Sequence, residues 1–442
     1  MIGSSAFVLG ASMLAAAPGE PVKEIAVGAR MAVRPQARAN ATYGQDADDE
    51  SWQVLQAARL DVAGRYGPLS VVTQLQDVRN WGQSTNPNSN DAFTGLHQGY
   101  IELAGQDLGA RGRVSGYLRM GRQEVRVWSG RLIAETPWVI GRRALDALRG
   151  RLDVGRWGFE AAAAVTRTPR TLTDATGEGV QTQGDQLAWG EVMFRAHPAF
   201  EPHAGVWLRR QDATEADLER DRLVLTPGVW FHGEPVDDLV YDVEGYAQVG
   251  RDGALEHRAW GAVAVVTYTF DAKLRPGVRA SYELMSGSTC TQAPEDGEGC
   301  AQTVQRDFDG AFGFRHAYRG FADQIGDSNF RDLHLRGILQ PADDLSFWLD
   351  YHWLGLMESR GEWRDLTESL VGRGFDITND RNTLGHEIDA IVNYRPFEGA
   401  LEVRPGYSLL IPTAAGRTLA GSTPQHFAYV WIVANLGHRW TL

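Results

Sequence analysis

The sequence predicts an all-β fold, a transmembrane antiparallel β-barrel of about 18 strands with short turns at one end and long loops at the other. Three observations carry that prediction. Apolar and polar residues alternate with a period of two from Lys23 almost to the C-terminus, the mark of strands with unlike faces. Connectors alternate in length. The composition is rich in glycine (50) and aromatic residues (14 Trp, 13 Tyr, 16 Phe), which suits a strand wall girdled by interfacial rings better than a helical globule.

Along the chain, Ile2 to Ala17 form an apolar run ending Ala15-Ala16-Ala17-Pro18, the form of a signal-peptide hydrophobic region and cleavage site, without the usual basic start. Residues 1–22 are assigned to this signal peptide and 23–442 to one barrel domain. No other stretch reaches the length of a spanning helix. Strands are expected at 25–40, 52–66, 69–81, 94–106, 112–124, 141–155, 157–167, 187–196, 199–211, 222–232, 238–250, 255–270, 273–286, 330–340, 343–356, 383–395, 398–411 and 424–440.

The alternation is plain in several of these ribbons. Leu60, Val62, Gly64 and Tyr66 oppose Arg59, Asp61, Ala63 and Arg65; Leu333, Leu335, Gly337 and Leu339 oppose Asp332, His334 and Arg336; Leu345, Phe347, Leu349, Tyr351 and Trp353 oppose Ser346, Trp348, Asp350 and His352. A soluble β-sandwich also alternates, and a secreted carbohydrate-binding protein of that kind is the rival reading. Full charges recur on the polar face of strand after strand, whereas the apolar face has few, as expected if it meets lipid.

Connectors after even-numbered strands are tight: Gly67-Pro68, His197-Pro198, Asp271-Ala272, Pro341-Ala342-Asp343, Pro396-Phe397. Those after odd-numbered strands are mostly long, including 82–93, 125–140, 168–186, 287–329, 357–382 and 412–423. Short periplasmic turns alternating with long external loops are the arrangement of an outer-membrane barrel. Cys290 and Cys300 fall together in the longest of these loops, and a local disulfide there fits an oxidising compartment.

The net charge of −13 excludes a nucleic-acid binder. The 43 basic residues include only two lysines, Lys23 and Lys273, leaving 43 − 2 = 41 arginines; a GC-rich genome is one cause, and the preference of forked guanidiniums for carboxylates is another. With the apolar face outward, Arg59, Arg65, Arg113, Arg119, Arg149, Arg151, Arg275, Arg279, Arg336 and Arg404 turn toward the lumen. So do Asp61, Asp153, Asp242, Glu244, Glu283, Asp350, Glu387, Asp389 and Glu402. Such a wall either braces a wide barrel with Arg–carboxylate pairs or contacts a charged solute. The acidic run Asp46, Asp48, Asp49, Glu50 lacks the glycine-containing loop of a calcium site and is read as solvated charge. Neither a metal nor a cofactor is expected. No nucleophile elbow, zinc-protease helix or phosphate-binding loop occurs, so no enzyme is expected.

Several stretches resemble the alginate export family of outer-membrane porins. They are Leu75-Gln76-Asp77-Val78-Arg79-Asn80-Trp81-Gly82-Gln83, Thr94-Gly95-Leu96-His97-Gln98-Gly99-Tyr100, Gly121-Arg122-Gln123-Glu124, Gly130-Arg131-Leu132-Ile133 with Trp138, and Arg143-Ala144-Leu145-Asp146-Ala147-Leu148-Arg149. Leu384-Gly385-His386-Glu387-Ile388-Asp389, Gly406-Tyr407-Ser408 and Phe427-Ala428-Tyr429-Val430 close the set. The likeness runs from about residue 50 onward; region 287–329 shows little match, and the chain ends Trp440-Thr441-Leu442 where such barrels usually end on an aromatic residue. The resemblance implies an eighteen-stranded porin in the bacterial outer membrane that passes an anionic hydrophilic solute, such as an acidic exopolysaccharide, or another solute by diffusion. It implies Arg79, Arg122, Arg131 and Arg149 as solute contacts, with Glu124 and Asp146 as counter-charges. Expected partners are outer-membrane lipid, the solute and the barrel assembly machinery, with the chain a monomer.

Overall fold

The computed structural model describes residues 23–45, 49–82, 93–105, 114–167, 171–173, 179–181, 184–212, 221–291, 304–316 and 318–441. The expected signal peptide, most of the acidic run 46–50, Arg113 and Cys300 lie outside them. Within them the ribbons become strands β1 (Lys23–Ala39), β2 (Glu50–Tyr66), β3 (Leu69–Asn80), β4 (Phe93–Gly105), β5 (Val114–Gln123) and β6 (Leu145–Val154). Then follow β7 (Trp157–Arg167), β8 (Asp185–Phe194), β9 (Glu201–Gln211), β10 (Arg222–Val236), β11 (Leu239–Asp252) and β12 (Leu255–Thr269). The wall is completed by β13 (Gly277–Met285), β14 (Phe330–Ala342), β15 (Leu345–Gly355), β16 (Thr383–Tyr394), β17 (Leu401–Pro412) and β18 (Gln425–Thr441).

Each of these eighteen strands pairs antiparallel with its neighbours in the wall, and β1 closes on β18 with Glu24 opposite Thr441 and Ala39 opposite His426; the short strand Val304–Gln305 lies parallel to β12. An all-antiparallel ring closes only with an even strand number, because an odd one would force a parallel seam. Closure also leaves no edge to aggregate. Trp440 stands in this seam opposite Ile25, so the departure at the C-terminus leaves the last strand's register intact.

Boundaries shift where connectors claim strand ends. β6 begins at Leu145 rather than 141, because Arg143 belongs to the connector and donates from Nη1 to the Phe312 carbonyl. β13 begins at Gly277 rather than 273, since 271–276 form a wider turn closed by Phe270 N donating to Pro276 O at 2.8 Å. That turn also takes Arg275 out of the lumen, where it pairs with exposed Asp343. Between β2 and β3 the turn is the expected two residues, with Gly67 at φ 56°, a left-handed conformation natural to glycine.

The outer surface decides between barrel and sandwich. Leu60, Val62, Leu118, Met120, Leu148, Leu335 and Leu349 are exposed on the convex face, whereas Arg59, Glu244, Asp332, Arg336 and Asp350 on the alternate positions are buried inside. A continuous apolar band of this kind belongs against lipid. Tyr66, Trp157, Phe200, Phe270, Phe347, Tyr394 and Trp440 are exposed at the short-turn ends of their strands, and Trp52, Trp81 and Phe93 at the long-loop ends, two aromatic girdles at the interfaces. No helix among the described residues is long and apolar enough to cross a membrane. Leu349 is 60% exposed at mid-strand; Leu349→Arg is expected to destabilise the barrel by about 2–4 kcal/mol in denaturant-unfolding titrations in bilayers.

Candidate functional site

The site is the lumen, and its dominant feature is that long connectors fold back into it. Residues 124–144, between β5 and β6, cross the cylinder. At one end Leu132 and Ile133 pack with Leu187 and Trp207 of β8 and β9. At the other, Trp138 meets Phe427, Tyr429 and Trp431 of β18. The segment after β13 runs beside it: Phe312 N donates to Leu132 O at 2.8 Å and Ala134 N to Phe312 O at 3.0 Å. The connector after β15 joins in turn, with Gly326 N donating to Arg364 O at 2.7 Å and Leu366 N to Asp323 O at 3.0 Å. Backbone that leaves the wall is thus paired within the plug, as buried backbone must be.

A chain of buried ion pairs fixes this plug to the wall. Arg131 reaches Glu244 of β11 at 3.3 Å and Glu283 of β13 at 3.2 Å. Arg319 bonds Glu283 at 2.9 Å and Asp327 at 2.8 Å; Arg315 pairs with Asp327 and lies 3.4 Å from Glu368. Burial opposes the charge on Arg131, yet Glu283 and Glu244 together hold its pKa above the ordinary value. Burial likewise opposes the Asp327 carboxylate, and Arg315 with Arg319 more than offsets it, holding that group low.

Glu368 goes the other way: burial, then the Asp327 charge, push it up to about 7. A carboxyl with a raised folded pKa adds stability that is full below its unfolded value and lost as pH rises through the folded one. Docking of the 356–382 connector is therefore expected to loosen between about pH 4.5 and 7. Hydrogen exchange in that segment should quicken across this window in the native chain and lose the dependence in Glu368→Gln.

The structure brings most sequence-predicted residues to the lumen, but in pairs that neutralise them. Arg119 bonds Glu102 at 2.5 Å, Arg149 bonds Glu160 at 2.8 Å, Arg151 bonds Asp153 at 3.0 Å, Arg336 bonds Asp350 at 2.6 Å and Arg404 bonds Glu402 at 2.6 Å. Glu124 serves Arg142 at 3.3 Å and His97 at 2.8 Å. Asp61 accepts from Gln74, Asp389 accepts from Ser408, and Asp242 bonds His232 at 2.8 Å. Arg65, Ser70, Tyr100, Glu102, Arg119 and Arg439 line a vestibule at the short-turn end. Cys290 is buried and disulfide-bonded.

Three expectations are corrected. Arg79, Arg122 and Asp146 do not line the lumen. Arg79 stands on the same face of β3 as Leu75, which lies opposite outward Leu60, and pairs with Asp77 at 2.6 Å. Arg122 and Asp146 face each other across β5 and β6 on the side of Met120 and Leu148, 3.2 Å apart. All lie at the long-loop rim, where the strands emerge from hydrocarbon and charge on the outer face is tolerated.

Sequence reasoning turned Arg59 toward the lumen but missed Arg30 beside it, and Arg34 and Arg143. Arg30 lies opposite Arg59 in the β1–β2 ladder, both facing the lumen. Arg30 has no ionic partner among the described residues, and its buried Nε bonds nothing. Arg59 donates only to neutral acceptors, Gln76 Oε1 at 2.7 Å and Ile140 O at 3.0 Å. Two pleat repeats along β1 from Arg30, Arg34 donates to Trp138 O at 2.7 Å and stacks 3.7 Å from the Trp138 ring. Arg143 donates to the carbonyls of Ala134 and Phe312; burial, then facing Arg315, push it down to about 10. Arg279, which the sequence did place inside, lies opposite Arg336 with a buried unbonded Nε. Arg30 and Arg34 were legible as the polar face of β1; Arg315 and Arg319 sit in a region without periodicity.

A family model described as alginate export matches residues 23–431. A comparison with curated proteins finds no match. Among solved structures the chain is similar to OccK5 (OpdH) of Pseudomonas aeruginosa, at 12% identity and TM-score 0.58 over 94% of this chain and 98% of that one. It is similar also to OccAB1 of Acinetobacter baumannii, at 12% identity and TM-score 0.58 over 93% and 96%. A third is OpdK of Pseudomonas aeruginosa with vanillate, at 10% identity and TM-score 0.58 over 94% and 99%. At such identities these outer-membrane porins establish the fold alone. The family match spans nearly the whole chain, and the closed cylinder wears its oily face outward: the chain belongs to the alginate export family of bacterial outer-membrane channels.

Proposed function

We propose that this channel passes an anionic hydrophilic solute, with an acidic polysaccharide such as alginate as its exported cargo, and that it performs no catalysis. The observation that carries the reading is the Arg30–Arg59 pair with Arg34 beside it. Like charges directly opposite on a ladder destabilise it, and here no carboxylate among the described residues forms an ion pair with either guanidinium, Asp61 and Glu124 acting only from a distance. A lumen that keeps such charge suits an anionic passenger, which supplies the missing counter-charge in transit. Polyuronates present one carboxylate per sugar, so a few shallow guanidinium contacts let the chain move on where one deep site would hold it.

A specific observation favours a second reading, in which the cargo is a small organic anion. The connectors pack inside the lumen, so a polymer needs them displaced where a small solute needs only a gap beside them; the similar OpdK structure contains vanillate. Planar-bilayer current block tests both. Oligouronates are expected to block from one side while neutral oligosaccharides of equal length do not. Block by monomeric carboxylates alone favours the second reading. Equal behaviour of charged and neutral sugars contradicts both.

A further inference from the structure

We propose that the outer face of β9–β12, at the long-loop rim, binds the phosphorylated headgroup of an outer-leaflet glycolipid through Arg210, Arg251 and Arg258. The ladders bring these residues together. Arg210 of β9 lies opposite Leu223 of β10, Leu223 opposite Arg251 of β11, and Arg251 opposite Glu256 of β12, so the four form one row. Leu223 is 38% exposed, which fixes the row on the outside of the cylinder. Backbones two strands apart stand roughly 9–10 Å from one another, a spacing that lets Arg210 and Arg251 grip one headgroup from both sides. Followed the other way, the row continues through Gln186, Val165, Asp146 and Arg122, a largely polar belt at the level where strands leave the hydrocarbon.

Below this row the wall is oily. Leu208 lies opposite Leu225 and Leu225 opposite Val249, and all three are exposed. Arg258 stands opposite Val249 at the β12 edge of this second row, with exposed Trp260 two residues further along the strand. Cations above and at the edge of an apolar strip match a lipid with its phosphate uppermost and its acyl chains beneath.

Charge on a lipid-facing wall needs a cause, because an outward arginine is costly within the hydrocarbon and is tolerated only near the interface. The short-turn ends of the same strands supply the contrast. There the outward positions hold Phe231, opposite Val243, Tyr241, opposite Val266, and Tyr268. Rings without charge suit any interface; a cluster of cations at one end alone suits a leaflet that is anionic at that end.

The guanidiniums keep capacity for such a ligand. Arg210 has no ionic partner among the described residues. Arg251 lies 4.0 Å from Asp221 and Arg258 2.6 Å from Glu256, and the two arginine side chains are 62% and 61% exposed. Exposed pairs of this kind hold weakly, unlike the buried pairs of the lumen, and two carboxylates against three guanidiniums leave a positive excess. A guanidinium fork meets phosphate with two parallel hydrogen bonds. This site lies on the outside of the cylinder and does not depend on what passes within. Its residues come from three strands with no contiguous motif, so only the register reveals it.

The test uses the full chain in detergent micelles, washed free of bound lipid, and native mass spectrometry with three probes: bisphosphorylated lipid A, dephosphorylated lipid A and phosphatidylglycerol. Saturable binding of bisphosphorylated lipid A is expected, with affinity lower by roughly ten-fold or more when the phosphates are absent and lower also for phosphatidylglycerol. Arg210→Gln/Arg251→Gln should weaken binding of the bisphosphorylated probe by a similar factor while the unheated protein keeps its gel migration. Arg79→Gln, at the rim but outside this row, should bind as the native chain does. Should the double variant fail to fold, Arg258→Gln alone is expected to weaken binding several-fold. Equal binding of lipid A with and without its phosphates, equal binding of phosphatidylglycerol, or native affinity in the folded row variants overturns the proposal.

Discussion

Arg131→Ala is expected to release the plug and raise single-channel conductance, with frequent open–closed transitions in place of the small steady current expected of the native chain. Arg131 is the only cation that contacts Glu244 among the described ion pairs, and it shares Glu283 with Arg319. Removing it leaves a buried carboxylate uncompensated, a loss of about 3–5 kcal/mol in docking free energy. The wall does not depend on this contact, because its ladders close around the full circle. Heat-modifiable gel migration should therefore persist while protease cleavage within 124–144 quickens. Unchanged conductance together with unchanged protection would mean that the ion chain does not hold the plug.

Arg30→Glu and Arg59→Glu are expected to have the largest effect on solute handling. Either change converts the cross-strand Arg–Arg pair into an ion pair and removes two units of positive charge from mid-lumen. At a few ångströms in a hydrated passage each unit charge is worth about 1 kcal/mol, so oligouronate block should weaken at least roughly five-fold for either variant. Arg79→Glu, on the outer rim, should leave block as it is. Arg149→Ala should have a smaller effect than Arg30→Glu, because Glu160 already neutralises the guanidinium.

The wall was legible because a strand between lipid and water has no choice of face. Most ribbons from Leu60 to Tyr407 keep their oily residues on one parity, and the structure changes it only where a ladder shifts register, as between Leu96 and Ile101 of β4. The corrected residues show where family likeness outran this rule. Arg119 and Arg122 are three apart on one strand, as are Asp146 and Arg149 on the next, so they point to opposite faces; both members of either pair cannot line the lumen. Parity alone selects Arg119 and Arg149. A motif match does not record the face.

The plug was illegible for a different reason. Residues 124–144 and 304–329 have no period to read, and their place is set by partners distant in sequence, such as Arg131 with Glu283 and Trp138 with Tyr429. Turning these connectors inward also reassigns the charges. Arg131 leaves the list of solute contacts because wall carboxylates consume it, whereas Arg59 stays on it and Arg30 joins it because neither forms an ion pair among the described residues.

The zero-current potential of the native channel between two concentrations of potassium chloride probes these uncompensated guanidiniums most directly. A sign reporting preference for chloride over potassium is predicted, with the preference shrinking at high salt as the lumenal charge is screened. A preference for potassium would contradict it.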